Sequence, residues 1–452
     1  MSVHHIPIMA KKVLSARHRP GNVVAVQPVA HVGPWKHVAE SLSDDELLLS
    51  TAAAQGSFRA LTEHLVASGC YFGVLPAPRD ALLTFRWRSA KVFLSVVVAW
   101  LLACRILIYF YCVYVGYNTV LEIVVSTRLG FHAMAVMEVA VYVSMACRWR
   151  DFVLCFLRVE HRYDASDRFA GSDGKPVDTP SALRKKIVTL AVTALVMSST
   201  EILLELFTYP LSKEVDQFDS FSEMLEDYYN RLFNNVAQAI AYHPVVLVVA
   251  QLTVIATNLV LNFNDVFLMS VSFTICRRFH ELRTTVSRDA QQVASHSYWQ
   301  LARENFSDLS ELTRKVDHYI SFLMLLSCLN NFFSICIQLQ HTVRPSSATP
   351  GIVRQLYFCF SFAFVLLRFG AMVFAASSIP EETKAIKRAL YSVPSAHFSE
   401  EIGRFLSQAT TDDVTLTGLG LFTITRSFIL TMLGSIATYE ILLVQMYKSD
   451  NF

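Results

Sequence analysis

Seven stretches of the chain are dominated by apolar residues and separated by polar linkers: residues 92–115, 131–147, 187–207, 245–276, 319–340, 355–379 and 419–447. A bilayer crossing needs about 20 mostly apolar residues, and each stretch meets or approaches that length. The second is short, and the third and fourth carry polar residues. The fourth exceeds one bilayer thickness. Its helix is expected to run on into water through CRRFHELRTTVSRDAQQVASHSYWQLARENF. The expected fold class is therefore an all-α integral membrane protein with seven transmembrane helices.

Composition agrees. Apolar residues make up 53% of the 452 and charged residues 17%, against about 25% charged in soluble domains. Mean hydropathy is +0.39. The formal charge of +2 gives no electrostatic footprint for nucleic acid.

Lysine and arginine between spans set the orientation. Ten precede the first stretch, and nine lie between the second and third, from Arg148 to Lys186. Seven lie between the fourth and fifth, and Lys384, Lys387, Arg388 and Arg404 between the sixth and seventh. The alternate linkers hold only Arg128, then Lys213 and Arg231, then Arg344 and Arg354. The linker after the third stretch is acidic, with Glu214, Asp216, Asp219, Glu223, Glu226 and Asp227. The expectation is a cytoplasmic amino terminus and an extracellular carboxyl terminus, the reverse of a G-protein-coupled receptor. The sequon at Asn305 then lies in the cytoplasm and carries no glycan.

The first twenty residues are basic but lack the apolar core of a signal peptide. Residues 1–56 read as a flexible cytoplasmic tail. In 57–76 apolar residues recur at three and four, as on an amphipathic helix. That helix either lies along the inner membrane face or packs on the bundle. None of the nine cysteines falls in an outward segment, so a disulfide framework is not expected. No P-loop, nucleophile elbow or metal-ligand spacing appears, and neither enzyme activity, a metal nor a cofactor is expected.

The last stretch contains T438-Y439-E-I-L-L-V-Q445-M446. With seven spans and an inward amino terminus, this resembles the insect gustatory receptor family, whose signature is TYhhhhhQF with h apolar. Glu440 at the first h is similar to the sugar-receptor branch; Met446 replaces the final Phe. FRWRSAKVFLS from Phe85, YISFLMLLSCLNNFFSICIQL from Tyr319 and the run from Ala385 into the last span also resemble that branch. The likeness covers most of 57–452.

The resemblance implies a sugar-gated, non-selective cation channel in the plasma membrane of gustatory neurons. It implies tetramers, of this chain alone or with related receptors. The last helix of each subunit lines a central pore, the other spans form an outward ligand pocket, and long inner helices form a cytoplasmic anchor. The expected partners are a mono- or disaccharide, membrane lipid and permeating cations. The implied division is a tail (1–56), a six-span ligand-binding bundle with long cytoplasmic extensions (57–380), and an anchor helix with the pore span (381–452).

At about 100° per residue, Ser435, Thr438, Leu442 and Gln445 fall near one face of the last helix. A polar stripe is costly against lipid and should face protein or water. Four copies would form a hydrated pore, with an apolar ring near Leu442 or Met446 able to close it by dewetting. Alternatively Thr438, Tyr439 and Gln445 only bond between helices.

Ionisable residues mark the outer halves of other spans. From the outer ends, Glu138 lies about 10 Å deep, Glu201 about 9 Å, Glu205 about 3 Å and Arg105 about 15 Å. Such charges either line a wet cavity or pair with each other, and Arg105 with Glu138 or Glu201 is the expected pair. Sugar hydroxyls need carboxylate and amide partners, and their C–H faces need rings. Glu138, Glu201, Gln338 and Tyr357 are the leading candidates, with Glu205, Asn331 and His243 beside them. Arg368, about 20 Å deep, is expected to partner bundle polar groups. A transporter would want repeated halves and broken helices, which are not seen. A different tastant, or a role as an obligate co-receptor subunit, remains an alternative within the family.

Overall fold

The structure is a computed structural model. It describes residues 57–80, 82–116, 127–169, 180–208, 220–290, 296–343 and 352–449, with Asp45 and Leu49. The tail of 1–56 lies outside these residues apart from those two. Asp45 pairs with Arg158 at 2.9 Å, and Leu49 is buried.

Helix α1 is Phe58–Tyr71. Its N-cap Ser57 accepts a hydrogen bond from the Ala60 N–H, satisfying one of the donors a helix start leaves free. Phe58, Leu61, Leu65, Val66 and Cys70 form its buried face, and the Phe58 ring stacks on Phe156 with centroids 3.9 Å apart. Of the two readings of 57–76, packing on the bundle is the one observed.

Helices α2 (Ala90–Tyr114), α3 (Thr127–Cys147), α4 (Trp149–Phe169) and α5 (Pro180–Thr208) follow. The short second stretch gains a turn at its start and reaches 21 residues. Two short helices, α6 (Phe221–Leu232) and α7 (Asn234–Ala239), make a lid at one end of the bundle. Tyr228, Tyr229, Phe233 and Val236 of this segment pack on Leu247 and Ala250.

Three long helices organise the molecule: α8 (Pro244–Asp289, 46 residues), α9 (His296–Val343, 48 residues) and α10 (Ile352–Tyr391, 40 residues). At 1.5 Å per residue they span about 60–72 Å, twice the roughly 30 Å of a bilayer's hydrocarbon core. The expected continuation of the fourth stretch is observed as far as Asp289 and needs a correction beyond it: residues 296–306, expected to extend the same helix, begin α9 instead. Helix α10 runs unbroken through residue 380. Among the described residues six helices are long and apolar enough to cross a membrane: α2, α3, α5, α8, α9 and α10.

At the end away from the lid, ion pairs tie the extensions together. Arg162–Asp308 is 2.8 Å, Arg283–Glu382 2.6 Å and Arg278–Glu160 3.7 Å. Helix α11 (Glu400–Thr411) docks there, with Phe405 against Phe306.

The seventh apolar stretch needs a correction. It does not begin as helix at 419. Thr417–Gly418 (β1) pairs with Phe422–Thr423 (β2) in a small antiparallel hairpin, turned by Leu419 (φ 54°) and Gly420 (φ 70°). Two residues in the left-handed region cannot continue a right-handed helix. Helix α12, Arg426–Ser449, starts after the hairpin and packs on α9 and α10.

Candidate functional site

Polar groups inside the bundle fall into two layers. The deeper layer centres on α8. Asp265, fully buried, meets Arg368 of α10 at 2.8 Å. Arg368 also donates to Oδ1 of Asn331 at 3.0 Å and to Asn262. Asn331 donates to both oxygens of Asp265, at 3.1 and 3.3 Å, and Ser327 donates to it as well. Asn262 reaches Ser198 of α5 at 3.0 Å.

Asn264 lies about 200° around the helix from Asn262 and serves the other side. It donates to Glu138 of α3 at 2.9 Å and accepts from the Tyr142 hydroxyl at 2.9 Å. Six side chains are joined around Asp265 and three around Asn264, drawn from five helices in all. A buried charge with a charge partner and several hydrogen bonds is tolerable, whereas an unpaired one is not.

The second layer lies nearer the lid. Glu201 and Glu205, one turn apart on α5, face α10. Ser361 of α10 donates to Glu201, and Gln338 of α9 donates to Ser361 at 2.7 Å. Tyr357, one turn before Ser361, interacts with it and lies in the field of Glu205, Glu201 and Arg128. Arg128 at the start of α3 stands 3.8 Å from Glu205 and donates to the Leu232 carbonyl of the lid. Lid residue Tyr228 donates to Gln251 at 3.3 Å. Carboxylate, amide, hydroxyl and aromatic groups therefore converge from three helices beneath the lid.

The expected site residues divide accordingly. Glu201, Glu205, Gln338 and Tyr357 come together. Glu138 and Asn331 belong to the deeper layer. His243 is exposed, and its Nδ1 caps α8 by accepting the Val245 N–H at 3.3 Å. The expected pairing of Arg105 with Glu138 or Glu201 is corrected. Glu138 is held by Asn264 and Glu201 by Ser361. Arg105 instead lies over the Phe233 ring of the lid, 5.3 Å from its centroid. Depth along a helix places two charges at one level but does not rotate them towards each other.

Arg368 partners bundle polar groups as expected, and Asn262, Asn264 and Asp265 acquire roles the sequence did not assign. Ser361 and Arg128 were missed. Ser361 follows Tyr357 by four residues, a same-face spacing, and Arg128 is the lone base of its linker.

On α12, Ser435, Thr438, Leu442 and Gln445 are exposed in the single chain, as are Ser427 and Thr431. The Met446 side chain lies outside the described residues.

A family model for the trehalose receptor matches residues 51–452. The chain belongs to that family. It is the sugar branch of the insect gustatory receptors. Three relatives from Drosophila melanogaster illustrate the range. Gustatory receptor for sugar taste 64f is 27% identical over 51% of this receptor and 48% of its own length. Gustatory receptor 5a for trehalose is 32% identical over 41% of each. Gustatory receptor for sugar taste 64a is 26% identical over 70% and 68%. The matched region thus spans about half or less of the first two relatives. Insect olfactory receptor OR5 from Machilis hrabei has the same fold, with a TM-score of 0.54 at 13% identity, covering 86% of this receptor and 98% of that chain. Its eugenol complex gives 0.55 at 12% identity over the same shares.

Proposed function

We propose that the receptor is a sugar-gated, non-selective cation channel whose ligand binds beneath the lid at Glu201, Ser361, Gln338, Tyr357 and Glu205. The observation that carries this is the convergence of those side chains from α5, α9 and α10 in a chain of the sugar-taste family. A polyol needs a carboxylate to accept its hydroxyls, an amide to do both, and a ring against its C–H face.

In this reading α12 is the seventh span, the amino terminus is cytoplasmic, and four α12 helices surround the pore. The helix suits that place. Hydroxyls of Thr431, Ser435 and Thr438 donate to carbonyls one turn back, at 3.3, 3.0 and 2.9 Å. Their lone pairs are left to face water. An open groove of about 570 Å³ runs beside α12, lined by Leu325, Cys328, Phe332, Met432 and Ser435 among others. A sugar that binds the open arrangement more tightly shifts the gate by that difference in affinity.

Whole-cell current from cells expressing this chain alone, with mono- and disaccharides applied outside, tests the reading. A rapid, reversible cation current to some sugars is expected. Surface-expressed receptor that stays silent to sugars but conducts with another tastant would overturn the sugar assignment.

A further inference from the structure

Side chains from three helices tie the lid to the bundle. The Cys112 thiol of α2 donates to the Asn235 carbonyl at 3.1 Å. Tyr228 of the lid donates to Gln251 of α8 at 3.3 Å. Nη1 of Arg128, the second residue of α3, donates to the Leu232 carbonyl. This third tie is the one whose side chain also reaches the sugar layer.

Nη2 of Arg128 stands 3.8 Å from Oε1 of Glu205. That is charge pairing beyond hydrogen-bond range, so the contact orients the carboxylate without occupying its acceptor positions. Tyr357 lies in the field of both side chains. On the lid side the guanidinium lies over the Phe233 ring, 5.6 Å from its centroid. Phe233 sits where α6 meets α7. The Arg128 carbonyl accepts from His132 Nδ1 one turn on, which secures the start of α3.

A guanidinium is planar and permanently charged, and its nitrogens move as one unit. Here one nitrogen is set by the lid backbone and its neighbour by a carboxylate of the ligand layer. A displacement of Glu205 is therefore felt at Leu232, and the reverse holds.

We propose that Arg128 is a positioning residue that latches the lid over the sugar layer: it holds α6 and α7 closed, and while they are closed it holds Glu205 in place for sugar. The second half rests on the sugar reading of that layer; the first does not. A sugar bound at Glu205 stabilises the latched state, and by linkage the latched lid strengthens sugar binding by the same factor. Breaking the Leu232 bond frees the α6–α7 junction and uncovers Cys112, which is fully buried against the lid.

Thiol labelling of the purified full-length receptor tests the latch without sugar. N-ethylmaleimide is added, and peptide mass spectrometry follows Cys112 against Cys328, which is buried in α9 outside the lid. Arg128→Gln should label Cys112 roughly tenfold faster, the order set by one hydrogen bond to a charged group, with Cys328 unchanged. Arg128→Lys keeps the charge but not the two-nitrogen fork and should fall between. Lid-surface Arg231→Gln should match the wild type. If Arg128→Gln does not fold, Arg128→Lys decides. Cys112 labelled at the wild-type rate would overturn the latch, and so would equal acceleration at Cys328, which marks general loosening. The coupling is read with sucrose or maltose, whichever evokes the larger current. That sugar should slow Cys112 labelling in the wild type and not in Arg128→Gln, whose current should decay faster on washout. Wild-type labelling indifferent to a sugar that opens the channel would overturn the coupling to Glu205. A receptor silent to every sugar would overturn the sugar reading instead, and the sugar-free labelling would still decide the latch.

Discussion

Asp317 of α9 accepts two hydrogen bonds from one residue, Thr417 of the hairpin: its backbone N–H and its hydroxyl, both at 2.7 Å. A third bond runs alongside, from the Leu419 N–H to the Ser321 carbonyl at 3.2 Å. The hairpin leads directly into α12, so this carboxylate fixes where the last helix begins. Asp317→Ala should lower stability by about 1–3 kcal/mol, because it leaves two donors unmet. Thr417→Val removes only the hydroxyl bond and should cost less. The double variant should match Asp317→Ala in unfolding midpoint. Additive losses would show that the two side chains act independently.

Arg368 closes the deeper polar layer. Replacing it with Met leaves Asp265 buried without its charge partner, at a cost of about 3–5 kcal/mol. Adding Asp265→Asn should recover part of the loss. Thermal midpoints of the purified single and double variants provide the check. A double variant less stable than Arg368→Met would refute the coupling.

Glu201→Gln and Gln338→Ala both alter the Ser361 relay. Each should move the sugar dose–response to about tenfold higher concentration, the equivalent of ~1.4 kcal/mol, with the receptor still at the surface. A residue whose variant leaves the curve in place does not contact the sugar.

Met446→Ala should raise current in the absence of sugar, because a smaller side chain widens an apolar ring that closes by dewetting. Leu442→Ala is the comparison. Basal current that rises only with Leu442→Ala would place the ring one turn nearer the middle of α12.

Acid should loosen the clasp between α9 and α11. Burial pushes the Glu401 carboxyl up, but hydrogen bonds and charge from Arg303 and Arg404 outweigh it and hold it below its ordinary value. The bonds are 3.1 Å to Arg303 and 2.8 Å to Arg404. A depressed carboxyl stabilises the fold above its unfolded pKa of about 4.3. That contribution is lost as pH falls through the lower folded value. The midpoint difference between wild type and Glu401→Gln should therefore be largest near pH 7 and shrink below about pH 4. A difference independent of pH would remove Glu401 from the acid response.

The six long apolar helices and the family were legible in the sequence, because apolar runs, helical periodicity and the Thr438–Gln445 spacing are local properties of the chain. Glu201, Glu205 and Gln338, which come together beneath the lid with Tyr357, could be singled out as well, since an acid or amide within an apolar run stands out wherever it points. Partnership was not legible. Glu138, Glu201 and Arg105 sit at comparable depths, and nothing in their spacing says that Asn264 and Ser361 would take the two acids and leave Arg105 under Phe233. Nor did the sequence show that residues 417–423 form a hairpin held by a carboxylate a hundred positions earlier. Sequence periodicity fixes which residues share a face of a helix. The rotation of that face, and the neighbour it meets, are set only when the helices pack.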